Sequence, residues 1–239
     1  MASSALWGCA VSRDDRLYPI AAGLFAAAEA TLGVLVHTVK GCLVPWVSYA
    51  AVLLAFGFCL LSARRSAVFL LTALALLFTL AADYILVLHP EHSTLLAMLF
   101  FLSVQLLYGA RLLLGAAARR LSLLLRAALS VLALLLPLLV VGERADALAL
   151  VSMLYFANLL TNAALALGDL RRSPMLALGL LFFVLCDVFV GFGMLGEYLP
   201  VAEGTLWAWM AAPPINMAWV FYVPALTLLS LSAFEELLS

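Results

Sequence analysis

Two aspartates lie within near-copies of one apolar stretch: Ala73-Leu74-Ala75-Leu76-Leu77-Phe78 leads to Asp83, and Ala177-Leu178-Gly179-Leu180-Leu181-Phe182 leads to Asp187. Six of the eleven aligned positions are identical. Leu and Ala matches come easily in this chain, so the shared Phe and Asp carry the weight. A carboxylate set in hydrocarbon costs about 2.5 to 3.5 kcal/mol on insertion scales, and it is kept where it faces a cavity or a partner. A neutral Asn would join helices at less cost. Two carboxyls can divide acid–base work, one donating a proton while the other supports positive charge and activates water, as in glycosidases. Close carboxyls in low dielectric resist double ionisation, which suits that division.

Other polar residues fall near the same depth. At about 1.5 Å of rise per residue, Asp83 lies roughly 27 Å beyond Arg65, Asp187 roughly 22 Å beyond Arg172, and Glu29 roughly 20 Å beyond Arg16. Lys40 sits near the outer end of the second apolar run. Gln105 and Tyr108 are three apart and share a helix face. Tyr155, Asn158 and Asn162 recur at i, i+3 and i+7, a polar stripe that must turn toward a bundle interior. Tyr108 precedes Leu112 by four residues as Tyr222 precedes Leu226, a second echo between the halves. The expected site therefore joins Asp83 and Asp187 in one interior cavity with Tyr108 and Asn158 in its lining, and with Lys40, Gln105, Asn162, Tyr222 and Glu29 as further binding groups.

Several chemistries are not signalled. His37, His89 and His92 fall at expected outer helix ends with no HExxH or other metal-type spacing, so they read as surface histidines and no cofactor is expected. Cys9, Cys42, Cys59 and Cys186 show no CxxC pattern and read as small core residues. GxSxG, catalytic Cys/His and Walker signatures are missing, and GxGD of intramembrane aspartyl proteases is not found before either Asp.

The elements that must position these groups are membrane helices. The chain of 239 residues is 67% hydrophobic and 10% charged, with a mean hydropathy of +1.21; soluble domains carry about 25% charged residues. Runs long enough for a bilayer core of about 30 Å occupy residues 18–37, 41–61, 67–88, 93–114, 123–141, 146–168, 174–195 and 215–234. The expected fold is all-α, an eight-span bundle forming a single transmembrane domain over residues 1–239. Four spans followed by four give halves of equal orientation, so the two Asp helices, third and seventh, are related as parallel repeats. Under eight spans Arg13, Arg16, Arg64, Arg65, Arg111, Arg119, Arg120, Arg126, Arg171 and Arg172 share the side of both termini, against Lys40 and Arg144 opposite. The positive-inside rule then puts both termini in the cytoplasm. Residues 1–17 form a short cytoplasmic segment without the features of a cleaved signal. Residues 196–214, with Trp207, Trp209 and the Pro213-Pro214 pair, form an outer interfacial loop. A net charge of −1 gives no reason to expect a nucleic-acid partner.

Read together, KGCLVPWVSYAAVLLAFG, AADYILVLHPEHSTLLAMLFFLSVQLLYGARL and GLLFFVLCDVFVGFG followed by WVFYVPALTLLSLS resemble the YhhN-type lysoplasmalogenases, over most of residues 38–232. The resemblance implies an eight-span hydrolase whose substrate is a lysophospholipid with a vinyl-ether bond, cleaved to a fatty aldehyde and glycerophosphocholine or glycerophosphoethanolamine without a cofactor. It maps the family's Lys, Gly-Asp, His–Tyr and Ser-Asp positions onto Lys40, Asp83 after Ala82, Gln105 with Tyr108, and Asp187 after Cys186. Gln105 replaces a titratable His. Two other readings stay open: a proton-coupled transporter built on parallel repeats, and a non-catalytic lipid-binding member of the same fold.

Overall fold

The computed structural model describes residues 18–61, 66–115 and 119–237. Cys9, Arg13, Arg16, Arg64 and Arg65, and the expected cytoplasmic segment 1–17, lie outside them. Among the described residues the fold is all-α, with eight helices long and apolar enough to cross a bilayer. Helices α1 (Tyr18–Thr38), α2 (Leu43–Leu61), α3 (Ala67–Asp83) and α4 (Thr94–Gly115) make the first half. The second holds α5 (Arg119–Val140), α6 (Ala147–Gly168), α7 (Pro174–Leu195) and α9 (Met217–Leu231), with short α8 (Leu206–Ala211) before the last. The chain is a multi-pass integral membrane protein. The ring of Tyr18 meets that of Phe234 with centroids 4.9 Å apart, so the first and last spans share one end of the bundle, here the terminal side; the other is the far side.

Local signals fix the ends. Ser66 caps α3 by accepting from the Phe69 N–H at 3.0 Å, and Asp146 caps α6 by accepting from Ala149 at 2.8 Å. Pro174 opens α7 at a position that needs no amide donor. The Ala149 N–H, together with the Tyr198 hydroxyl at 2.9 Å, holds the Asp146 carboxyl below the usual range. That phenol also ties the loop after α7 to the start of α6. Gly142 turns the chain between α5 and α6 with φ +62°, a conformation that disfavours side chains with a Cβ. The span 196–214 is not wholly irregular: α8 folds inside it, capped by Thr205, and rests on α7 through Trp207 Nε1–H donating to the Phe192 carbonyl at 3.3 Å.

Much of the packing follows the sequence repeat, although α1–α9 has no α5–α4 counterpart of like extent among the described residues. The neighbours α1–α2, α2–α3, α3–α4 and α2–α9 in one half correspond to α5–α6, α6–α7, α7–α9 and α6–α4 in the other. In hydrocarbon the helices gain little from burying apolar surface, so close backbone approach carries the association. Gly179 supplies it: a Cβ there would lie 2.9 Å from Leu229 Cγ and 3.1 Å from the Leu229 backbone N, so α7 and α9 approach more closely than any larger residue permits. Helix α5 is the most lipid-facing, with Leu121, Leu124, Leu132, Leu135 and Leu139 exposed.

Candidate functional site

Both aspartates sit in the far half of the bundle, each held by a tyrosine from another helix. The Tyr222 hydroxyl of α9 donates to Asp83 Oδ2 of α3. The Tyr155 hydroxyl of α6 donates to Asp187 Oδ2 of α7. Asp83 is 3% exposed, and Tyr155 and Tyr222 are 4% and 5% exposed; Asp187 is partly buried. Tyr155 and Cys186 lie within electrostatic reach of both carboxyls, Tyr222 is in reach of Tyr155, and Asp187 acts through space on Asp83. Two Tyr–Asp pairs drawn from four helices thus lie within electrostatic range of each other, with the Cys186 thiol in range of both carboxyls. The Phe101, Phe183 and Tyr222 rings pack around these groups.

Local backbone irregularities aim these groups. Immediately after Asp83 the α-helix widens into a π-turn over Tyr84–Leu88, a distortion often found at functional sites. Pro224, two residues beyond Tyr222, removes an amide donor inside α9, which bends helices.

Asn158, expected with Tyr108 in the lining around Asp83 and Asp187, hydrogen-bonds in a second polar layer. Tyr108 and Asn158 do not join the carboxyls. Asn158 and Asn162 lie three and seven residues beyond Tyr155, about 4.5 and 10.5 Å along α6 toward the terminal side. There both amide oxygens accept from one guanidinium: Arg126 Nη1 donates to Asn158 and Nη2 to Asn162, each at 2.6 Å. Asn162 Nδ2 passes the chain on to the Gln105 carbonyl at 2.8 Å and to Gln105 Oε1 at 3.0 Å. Arg126 reaches this position because α4 carries Gly109 there; a Cβ at Gly109 would lie 2.7 Å from Arg126 Nη2. Tyr108 is fully buried, its hydroxyl without a partner among the described residues, and lies within reach of Arg111 and Cys59.

Arg126 and Arg111 therefore do internal work in addition to weighting the terminal side. Arg111, 6% exposed, donates to Thr72 Oγ1 at 2.9 Å, to Ser232 Oγ at 2.7 Å and to the Ser232 carbonyl at 2.7 Å, joining α3, α4 and the chain's last turn. The usable signal for Arg126 was its place within Leu123-Leu124-Leu125-Arg126-Ala127, where a cation has entered an apolar run.

Glu29 stands apart. It is 1% exposed on α1, and among the described residues neither carboxyl oxygen has a hydrogen-bond partner. Lys40 is exposed in the connection before α2. Beside Asp83, a lateral groove of about 440 Å³ lies between α2, α3 and α4, lined by Tyr49, Leu77, Leu80, Tyr84, Ile85 and Phe100 among others. Neither aspartate lines it, yet its residues on α3 flank Asp83, and Tyr49 is in electrostatic reach of that carboxyl.

The histidines at the far end are also less scattered than their spacing implies, because His89 and His92 converge on Glu91. Comparison with family models, with curated proteins and with solved structures gave no match to this chain.

Proposed function

We propose that the protein hydrolyses the vinyl-ether bond of lysoplasmalogens. The observation that carries this reading is the pair of Tyr–Asp contacts on four helices, with the two carboxyls in electrostatic range of each other. The reaction begins with proton transfer from one carboxyl to the alkenyl carbon remote from oxygen. The resulting oxocarbenium ion is stabilised by the partner carboxylate, which also takes a proton from the attacking water. The hemiacetal so formed collapses, its hydroxyl proton leaving and the glycerol oxygen gaining one, to release aldehyde and a glycerophospho-headgroup. Water is the sole co-reactant.

The apolar lining of the open groove beside Asp83 suits the single long chain of such a lipid. The groove's tyrosines at the far end suit the polar end of a lipid lying at the interface. The decisive assay incubates purified protein with choline and ethanolamine lysoplasmalogens and measures free aldehyde. Turnover is the expected result; saturable binding without aldehyde would leave a lipid-binding protein and end the hydrolase reading.

A second reading, proton-coupled transport, draws on the unpartnered buried carboxyl of Glu29 and on the repeated helix packing. Substrate-driven acidification or alkalinisation of sealed liposomes without product would favour it.

In the orientation proposed, the terminal side is cytoplasmic, because its loops hold Arg119, Arg120, Arg171 and Arg172. Single cysteines replacing Arg120 and Glu143 in a cysteine-free protein should label from opposite sides of intact cells, Glu143→Cys from outside. Labelling of both from one side would end this topology.

A further inference from the structure

We infer that the far-side loop joining α3 to α4 is a binding site for one divalent transition-metal ion of the zinc class, held by His89, Glu91 and His92. Their ligand atoms all lie within 4.8 Å of one another. His89 Nδ1 is 3.1 Å and His92 Nδ1 3.3 Å from the same Glu91 Oε1. In a tetrahedral zinc site with ligand bonds of about 2.0–2.1 Å, neighbouring ligand atoms stand about 3.3 Å apart. Two spacings close to such edges are present, one of them now a His89–Glu91 hydrogen bond that an ion would replace, and two imidazole nitrogens with a carboxylate oxygen are a donor set that suits zinc.

The loop is built to hold that shape. Pro90 limits the backbone between the first two ligands, and the His92 N–H donates to the His89 carbonyl at 2.9 Å, closing the turn. The His89 ring packs against Tyr84 with centroids 4.7 Å apart and crosses the His92 ring at 77°. His89 is half-buried while Glu91 and His92 are exposed, which leaves the outward coordination positions to water or to an anionic oxygen.

The ion has a structural lever. The His89 N–H donates to the Ile85 carbonyl at 3.2 Å and so ends the π-turn that starts next to Asp83. An ion bridging His89 and His92 fixes the turn between the end of that π-turn and the start of α4. This holds whether or not the two carboxyls hydrolyse lipid.

The test is calorimetric titration of the full-length protein in detergent with zinc chloride, paired with thermal unfolding. One saturable site per chain is expected, along with a rise in Tm that follows zinc concentration by mass action. Loss of a ligand costs at least as much as loss of an outer-shell partner, about 10–100-fold, so His89→Ala and His92→Ala should each weaken binding by that much or more and erase the Tm rise. His37→Ala, at the exposed end of α1, should bind as the parent does. Because the ligands lie in a loop, a matching zinc-free Tm shows that the variants fold. Absence of saturable zinc binding in the parent, or unchanged affinity in the His89→Ala/His92→Ala double variant, would overturn the assignment.

Discussion

Asp187→Asn should abolish aldehyde release while the protein still inserts, folds and binds lipid, and Asp83→Asn should do the same. The amide keeps the acceptor that each tyrosine uses, Tyr155 for Asp187 and Tyr222 for Asp83, and so preserves the packing. What it loses is the exchangeable proton and the negative charge. Acid–base groups contribute about 10²- to 10⁴-fold, and each single variant should fall by that amount in turnover measured from released aldehyde. If one carboxyl donates the proton and its partner supports cation and water, the two act as a unit and their losses do not multiply. The double variant should then be hardly slower than either single one. Multiplying losses would indicate independent roles, and an active Asp187→Asn protein would remove the two-carboxyl mechanism altogether.

How much of this was legible in the sequence depends on what each residue's neighbours are. Spans were legible because apolar run length is a property of the chain alone: the expected 174–195 and 18–37 match α7 (Pro174–Leu195) and α1 (Tyr18–Thr38) to within a residue. The equivalence of α3 and α7 was legible from the Phe–Asp echo, and the packing repeats it. Partners were not. Tyr108 and Tyr222 occupy matching places in the two halves, yet only Tyr222 reaches an aspartate, and Asp187 takes its phenol from α6 instead. Helical spacing reports which residues share a face; it does not report the depth or identity of what that face meets. For the same reason the stripe of Tyr155, Asn158 and Asn162 was visible as a unit but serves two layers. Its first member holds a carboxyl, and its last two hold Arg126. The convergence of His89 and His92 depends on a five-residue turn whose shape follows from the π-turn before it, which no spacing rule encodes.

The arginine layer makes its own strong prediction, and the sign of the effect depends on which partner is removed. Asn162→Leu leaves Arg126 Nη2 without its acceptor and takes the donor away from Gln105, so a guanidinium remains in the span with one bond fewer. Hydrogen bonds to charged groups are worth about 1.5–3 kcal/mol, and the variant should lose stability in that range. Arg126→Leu removes the charge together with its need for partners. The two amides keep their own donor bonds to Leu154 and Gln105 and lose only the donor to their neutral oxygens, so the cost should be smaller than that of a guanidinium left short of an acceptor. The Arg126→Leu/Asn162→Leu double variant should accordingly be more stable than Asn162→Leu alone, a coupling that unfolding in mixed micelles can read as a thermodynamic cycle. Strictly additive losses, or an Arg126→Leu variant as damaged as Asn162→Leu, would mean that the guanidinium supports the bundle by its packing against Gly109 and its aliphatic stem rather than through the amides it contacts.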